Sequence, residues 1–306
     1  MNSDNGRGGT TPKRPDAKVV FVTTKATNAL INILKGHLPK HVNAHTLIQS
    51  GGVWLNQQRL CSENIQVKAK QTLKCYLCPT QGYTYYFSKE SIIKETDDWV
   101  VVVKEPLVTI GMDRSNMHFN LMAGLNHYYG YENMQTGVQP ITRLDYRVSG
   151  LCLFSKHKSA ERRLFMQMQQ RRIKKRYLAV VSSNHPPTMR CTNNDPLHYH
   201  HKAVVSEAGK PAKTRFILKS ANHHDVHIYQ AITKTGRRHQ VRAHAATSIG
   251  ALVNDELYGK RSRNRHQTIG LIANHLRFYW NGEWVNIQLN SKWEAQALTW
   301  LSMGSG

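Results

Sequence analysis

The stretch Ile141-Thr-Arg-Leu-Asp-Tyr-Arg-Val-Ser-Gly150, followed by Leu151 to Phe154, decides how this chain is read. The four apolar residues after Ser-Gly have the pattern of a short buried strand, so Asp145 falls in a loop just ahead of it. Between Arg143 and Arg147 its carboxyl is expected to stay ionised, because nearby cations favour the charged form. An isolated Arg-Leu-Asp is usually a surface salt bridge, worth at most about 1 kcal/mol. Three further segments shift that balance.

The second is Lys174-Lys-Arg-Tyr-Leu-Ala-Val-Val181, a basic run entering a strand led by Tyr177. It follows an expected helix with Leu164, Phe165 and Met168 on one face and cations on the other. Nine Lys or Arg lie between Lys156 and Arg176 against the single acid Glu161, a density that repels itself unless phosphates lie against it. The third is Gly209-Lys-Pro-Ala-Lys-Thr-Arg-Phe216 and the fourth Thr233-Lys-Thr-Gly-Arg-Arg-His-Gln-Val-Arg-Ala-His244. There Gly236 permits a tight turn, Arg237 and Arg238 can meet phosphates, and Arg242 stands where the chain turns inward, available to Asp145.

Composition agrees with a polyanionic partner. The 42 Lys and Arg against 19 Asp and Glu leave a formal +23 over 306 residues. Forty per cent apolar residues and six Trp argue for a folded chain and not a basic tail. The strongest apolar run, Val100 to Val103, is far too short to cross a bilayer. Five scattered Cys fit a reducing compartment. Cys75 and Cys78 form a lone C-x-x-C without a second ligand pair at zinc spacing, and His198, His200 and His201 after Cys191 do not supply one, so no metal is expected.

Residues 1–16 read as an unfolded leader, 17–78 as a small module, 79–96 as a polar Tyr-containing connector and 97–306 as a large domain. In the module, Thr27 is expected to cap a helix bearing Leu30, Ile33 and Leu34, with Gly36 ending it. A second helix fits Ala44 to Gln49, and Val53 to Leu55, Ile65, Val67, Leu73 and Tyr76 read as short strands. Asp98-Trp-Val-Val-Val-Val opens the large domain as a strand buried on both faces, and 183–201 reads as a surface loop.

In order, R-L-D-x-x-x-S-G, K-R-Y-L-A-V-V, G-K-x-A-x-T and G-R-x-H-Q-V-R-A-H resemble the RluA type of RNA pseudouridine synthase. The resemblance runs from about Trp99 to Asn286 and takes in Lys104-Glu-Pro106, Gly250 to Gly259 and Leu271 to Phe278. It implies an α+β fold with a mixed, mainly antiparallel catalytic sheet, and isomerisation of uridine to pseudouridine within RNA without any cofactor. It further implies that Asp145 is the catalytic carboxylate, that Tyr177 packs on the base and assists proton removal from C5, and that Arg242 pairs with Asp145. Arg143 would help hold the strand open once the uridine leaves the stack. The RNA-binding set is expected to be Arg143, Arg147, Lys174, Lys175, Arg176, Arg237, Arg238 and His239. The module, two helices then G-G-V-W-L-N, resembles the αL-motif RNA-binding domain of a small-subunit ribosomal protein, pointing to large-subunit ribosomal RNA as substrate, and a monomer is the default expectation.

The chemistry suits these residues. The N1–C1′ bond breaks, the uracil turns, and C5 joins C1′, with no net redox change and no phosphate transfer. An ionised carboxylate can attack C1′ or take the 2′ proton, while a closed, dry pocket with an aromatic wall keeps the detached base from escaping. Flipping the uridine out costs a few kcal/mol, which binding of the flanking phosphates offsets. Thr142, Val148 and Glu105 depart from the family's usual His, Thr and Lys, which favours as alternative an RNA-binding assembly factor of weak or no activity. Residence in a bacterial cytoplasm is expected, with an organelle that translates its own messages as the alternative. With 17 His, RNA affinity is expected to tighten from pH 8 to pH 6, and a titration showing equal affinity at the two would remove that expectation.

Overall fold

The structure, a computed structural model, describes residues 18–132, 136–182, 186–200, 202–221, 226–259 and 268–302. The expected leader and His201 lie outside them. The chain forms two compact units, one of residues 1–85 with 111–123, the other of 86–110 with 124–306. Residues 111–123, expected in the large domain, thus group with the N-terminal unit.

In the first unit the helix Leu30–His37 buries Leu30, Ile31, Ile33 and Leu34. Thr27 does not cap it: Ala29 occupies the cap position and offers no side-chain bond. Gly36 does not end it either, because the helix runs on to His37, whose Nδ1 bonds the Ile33 carbonyl at 2.8 Å. The helix Ala44–Gln49 is capped by Asn43, which accepts from the Thr46 amide at 3.0 Å. Gly51, at φ +74°, turns the chain into the hairpin of Val53–Leu55 and Gln58–Leu60, which joins Thr72–Leu77 and Lys18–Thr23 in a four-stranded sheet.

The second unit is built on a ten-stranded sheet. Its path runs from the edge strand Arg190–Asn193 through Thr214–Ala221, Val226–Thr233, Lys174–Ser182, Leu271–Trp280, Ser149–Ser155 and Trp99–Lys104 to Ile92–Glu95. The short Gln139–Pro140 pairs with Ser149–Ser155, and Glu283–Gln288 with Leu271–Trp280. Every pairing in it is antiparallel except Ser149–Ser155 against Leu271–Trp280. The fold is therefore α+β with a mixed, mainly antiparallel sheet. Trp99–Lys104 and Ser149–Ser155 are buried at every residue, as uninterrupted apolar runs require.

Each face of the sheet carries a core. One gathers Trp99, Val101, Leu151, Leu153, Ile272 and Phe278 with Ala160 and Leu164 of the helix Lys158–Gln169. Phe165 and Met168 of that helix, expected beside Leu164, are instead 37% and 40% exposed, so its apolar stripe is narrower than the sequence suggested. The other core gathers Tyr177, Ala179, Phe216, Tyr229, Ala231 and Ala273 with Val241 and Ala245 of the helix Gln240–Ser248. Within 183–201, expected as a loop, Arg190–Asn193 and Leu197–Tyr199 are strands, paired with Thr214–Ala221 and Ala203–Val205.

At the parallel pairing the two strands approach closely. Gly150 has φ +117°, and a Cβ there would stand 2.3 Å from the Ala273 carbonyl oxygen. Both constraints reject a side chain. Gly150→Ala is expected to destabilise the protein by well over 1 kcal/mol, read as a lowered urea midpoint; an unchanged midpoint would contradict this close approach.

Candidate active site

The loop ahead of Ser149–Ser155 is pinned at successive residues. Tyr146 accepts from the Leu107 amide at 2.8 Å, Arg147 accepts from Ile269 at 3.1 Å, and the Asp145 carbonyl accepts from Val148 at 3.0 Å. Beneath it lies Lys104, fully buried, whose ammonium donates to the carbonyls of Glu105 (2.7 Å), Val108 (2.9 Å) and Tyr146 (3.3 Å). Burial lowers its pKa to about 8, opposed by the nearby acidic side chains Asp145 and Glu105, while burial pushes the neighbouring Cys152 thiol up to about 12. Thr142, another departure, is buried and accepts the Leu153 amide through Oγ1 at 2.9 Å. Val148 packs into the core under Tyr177.

The helix Gln240–Ser248 carries Arg242, only 7% exposed, against this loop. Its Nη1 donates to Asp145 Oδ2 at 2.9 Å. Its Nε and Nη2 donate to the two oxygens of Asp255 at 2.7 and 2.9 Å, a two-bond fork of the kind guanidinium geometry favours. The fork fixes the plane of the guanidinium and so aims the remaining Nη1 at Asp145. Burial lowers the Arg242 pKa, but hydrogen bonding to Asp255 and the two carboxylate charges outweigh it, so the net shift is upward. Asp255 is 2% exposed and was not singled out by the sequence motifs. A signal existed, since it sits in the Gly250-Ala-Leu-Val-Asn-Asp-Glu-Leu-Tyr-Gly259 segment, but neighbouring Asn254 and Glu256 left its acid unranked.

His239 begins the same helix with φ +56° and places Nε2 3.6 Å from Asp145 Oδ2, too far for a hydrogen bond. Burial and Arg242 hold its pKa well below the ordinary value, against the pull of Asp145, so near neutral pH it is an uncharged ring. Its Nδ1 meets the Tyr258 hydroxyl at 3.1 Å, and Tyr199 and Tyr258 stand edge-on to it at 5.5 and 5.9 Å. Asp145 keeps 29% of its side chain exposed, so the carboxylate is open to an incoming group. Tyr177 is 7% exposed, and Lys175, on the same side of its strand, donates to the Arg143 carbonyl at 3.2 Å and feels both Tyr177 and Asp145.

The expected RNA-binding residues divide. Arg143 and Arg238 are exposed, the latter 4.3 Å over the Tyr199 ring. Arg147 is partly spent on the Asn254 carbonyl (2.9 Å) and Arg237 on Pro211 (3.1 Å). Lys174 and Arg176 alternate with Lys175 and Tyr177 along one strand, which turns them to the opposite face of the sheet. Among the described residues no three His, Cys, Asp or Glu side chains group as metal ligands would.

An acid on a loop before a central strand is thus tied to an arginine from a helix on a mixed sheet, and comparison with known proteins gives that arrangement its class. Residues 99–247 match the RNA pseudouridylate synthase family. The matched segment, just under half of the chain, is similar to that family of isomerases acting on RNA, and its ordered motifs are those of the RluA group. The chain is 29% identical over 194 residues to an uncharacterised RNA pseudouridine synthase of Bacillus subtilis, covering 61% of this chain and 66% of the relative, just under two thirds. It is 26% identical over 251 residues to ribosomal large subunit pseudouridine synthase C of Vibrio cholerae, covering 76% of each. The solved human RNA pseudouridylate synthase domain containing 1 shares the fold, with TM-score 0.55 and 22% identity over 66% of this chain and 83% of that one.

Asp255→Asn keeps the shape and removes the charge from the fork. It is expected to cost about 3 kcal/mol, because a buried guanidinium loses half its compensation, and to slow turnover about 100-fold as Nη1 drifts from Asp145. Urea melts and single-turnover rates check the pair, and wild-type values in both would show that Asp255 positions nothing.

Proposed function

We propose that this protein isomerises specific uridines of large-subunit ribosomal RNA to pseudouridine, with Asp145 as the reacting carboxylate. The observation that carries this reading is Asp145 held at 2.9 Å by Arg242 while 29% exposed. It is paired, oriented and reachable. Asp145 acts on the flipped nucleoside at C1′ or at the 2′ hydroxyl, and Tyr177 packs on the uracil and assists loss of the C5 proton. Arg242 holds Asp145 in register through its 2.9 Å bond, and near neutral pH the uncharged His239 does not compete for that role. No redox or group-transfer partner enters the balance, since the N1–C1′ bond is exchanged for C5–C1′ within one nucleotide. Arg143, exposed beside the loop, holds the vacated stack open, and Arg238 meets a phosphate from above Tyr199.

The ribosomal assignment is supported by relatives named for the large ribosomal subunit. The N-terminal unit serves as an αL-motif RNA-binding module, on the strength of its Asn43-capped helix, its turn at Gly51 and the Gly52-Val-Trp-Leu-Asn56 hairpin.

Asp145→Asn is nearly isosteric and cannot serve as a carboxylate. It is expected to lower pseudouridine formation on the order of 10⁴-fold while leaving RNA affinity within about twofold. Sites mapped in cellular RNA that persist with this variant would remove Asp145 from the reaction. A deletion strain lacking no pseudouridine would favour the assembly-factor reading.

A further inference from the structure

The third basic segment braces the Arg242 helix through the Lys213 carbonyl and the Thr214 hydroxyl, both of which accept from Gln240 at 3.0 Å, but its charged groups Lys213 and Arg215 point elsewhere. On Thr214–Ala221 the side chains of Thr214 and Phe216 are buried and Arg215 is exposed. Phe216 joins Tyr177 and Ala231 in the core beneath the Arg242 helix, so Arg215 faces away from that helix. Strand register carries the argument across the sheet. Arg215 stands opposite Thr192 on one side and Ile232 on the other, and Ile232 stands opposite Arg176. Residues directly opposed on neighbouring strands share a face. Thr192, Arg215, Ile232 and Arg176 therefore form one row on the side of the sheet turned from Tyr177.

The row is widened by residues two positions along each strand, which return to the same face. These are Arg190, opposite Ile217, and Lys174, both exposed. Lys213 and Lys234 lie side by side, the Lys234 amide donating to the Lys213 carbonyl at 3.0 Å. With Thr192, Arg215 and Ile232 these two lysines line an open cavity of about 380 Å³. That is within the usual size of a ligand cleft. The four strands that make this face contain no Asp or Glu. None of its six cations forms an ion pair among the described residues. None of the five residues lining the cavity is aromatic, so the cavity lacks the stacking surface by which proteins take unpaired bases, and the His275 ring stands at the far end of the row, opposite Arg176.

We propose that this face is a second RNA-binding site, which holds the phosphate backbone of a segment distant from the flipped uridine. The proposal rests on the reading of the protein as an RNA isomerase and extends it. Six uncompensated cations repel one another and gain most from a dense row of phosphates. Without bases to stack, recognition is of backbone and register, not sequence. A long structured RNA can pass over the edge strand Arg190–Asn193 and meet both faces, whereas a short stem-loop that fills the Asp145 side cannot.

The test replaces Lys213, Arg215 and Lys234 together by Gln and compares a long ribosomal RNA fragment with a short substrate stem-loop. Affinity for the long RNA is expected to fall at least tenfold. Its log–log salt dependence should become shallower by about 0.7 to 0.9 for each phosphate no longer neutralised. Affinity for the stem-loop and pseudouridine yield on it should stay at wild-type values. A charge-keeping variant, K213R/R215K/K234R, should bind both RNAs as the wild type does. Unchanged long-RNA affinity and salt slope would overturn the proposal, as would an equal loss on both RNAs or the loss of a protein partner with RNA binding intact. Repeating the binding measurements in an Asp145→Asn background separates the two readings. The far-face effect needs no turnover, so it can stand if Asp145 proves uninvolved and can fail if Asp145 proves essential.

Discussion

One guanidinium shared between two carboxylates organises the second unit. Arg242 is almost wholly buried, and a buried charge costs several kcal/mol unless it is both paired and hydrogen-bonded. Asp255 meets most of that requirement with two bonds, and Asp145 completes it with a third. Two carboxylates, one 97 residues before Arg242 in the chain and one 13 residues after it, are thereby fixed to one planar group. Lysine could not replace it, since a point charge on a flexible stem has no plane to set. The same arithmetic explains why the assembly is not inert. Asp255 alone neutralises Arg242, so Asp145 leaves the cluster with a net negative charge at the one carboxylate that solvent can reach.

Much of this was legible in the sequence because the relevant signals are local. Val100 to Val103 and Leu151 to Phe154 are uninterrupted apolar runs, and such runs are buried whatever surrounds them. Asp145 lies just ahead of an apolar run and Arg242 just after apolar Val241, but it was the ordered motifs around them that named the pair. Asp255 could not be named, because its importance comes from a partner 13 residues upstream and from burial, which a polar loop sequence conceals. The helix ends were misread for a similar reason. Thr27 is a good cap in isolation, yet Thr24 to Ala29 is held by pairing of Asn28–Ala29 with Gln66–Val67, and that tertiary pairing sets where the helix begins.

The distribution of positive charge was the least legible feature. A count of Lys and Arg gives a total but no direction, and a strand reverses direction at every residue. Lys174, Lys175, Arg176 and Tyr177 read as one basic run; in the sheet they alternate between two faces. Lys175 turns toward Asp145 and the Arg143 carbonyl, and Arg176 turns toward Ile232 and Arg215. The strong net charge is thus divided between two sides of a sheet, which one continuous RNA surface would not require.

The departures from the family pattern near Asp145 are compensated within the fold. Thr142 is not idle, since its hydroxyl accepts the Leu153 amide and ties the loop to the central strand. Val148 fills apolar space under Tyr177, where a hydroxyl would have needed a partner. At Glu105 burial raises the carboxyl pKa while Lys104 pulls it back, and the adjacent Lys104 delivers a cation to the carbonyls of Glu105, Val108 and Tyr146. A positive charge below the loop is kept, displaced by one residue along the chain. Since that ammonium bonds the carbonyl next to Asp145 in sequence, its displacement leaves the loop braced, and the substitution at Glu105 alone is no argument that the carboxylate has lost its place.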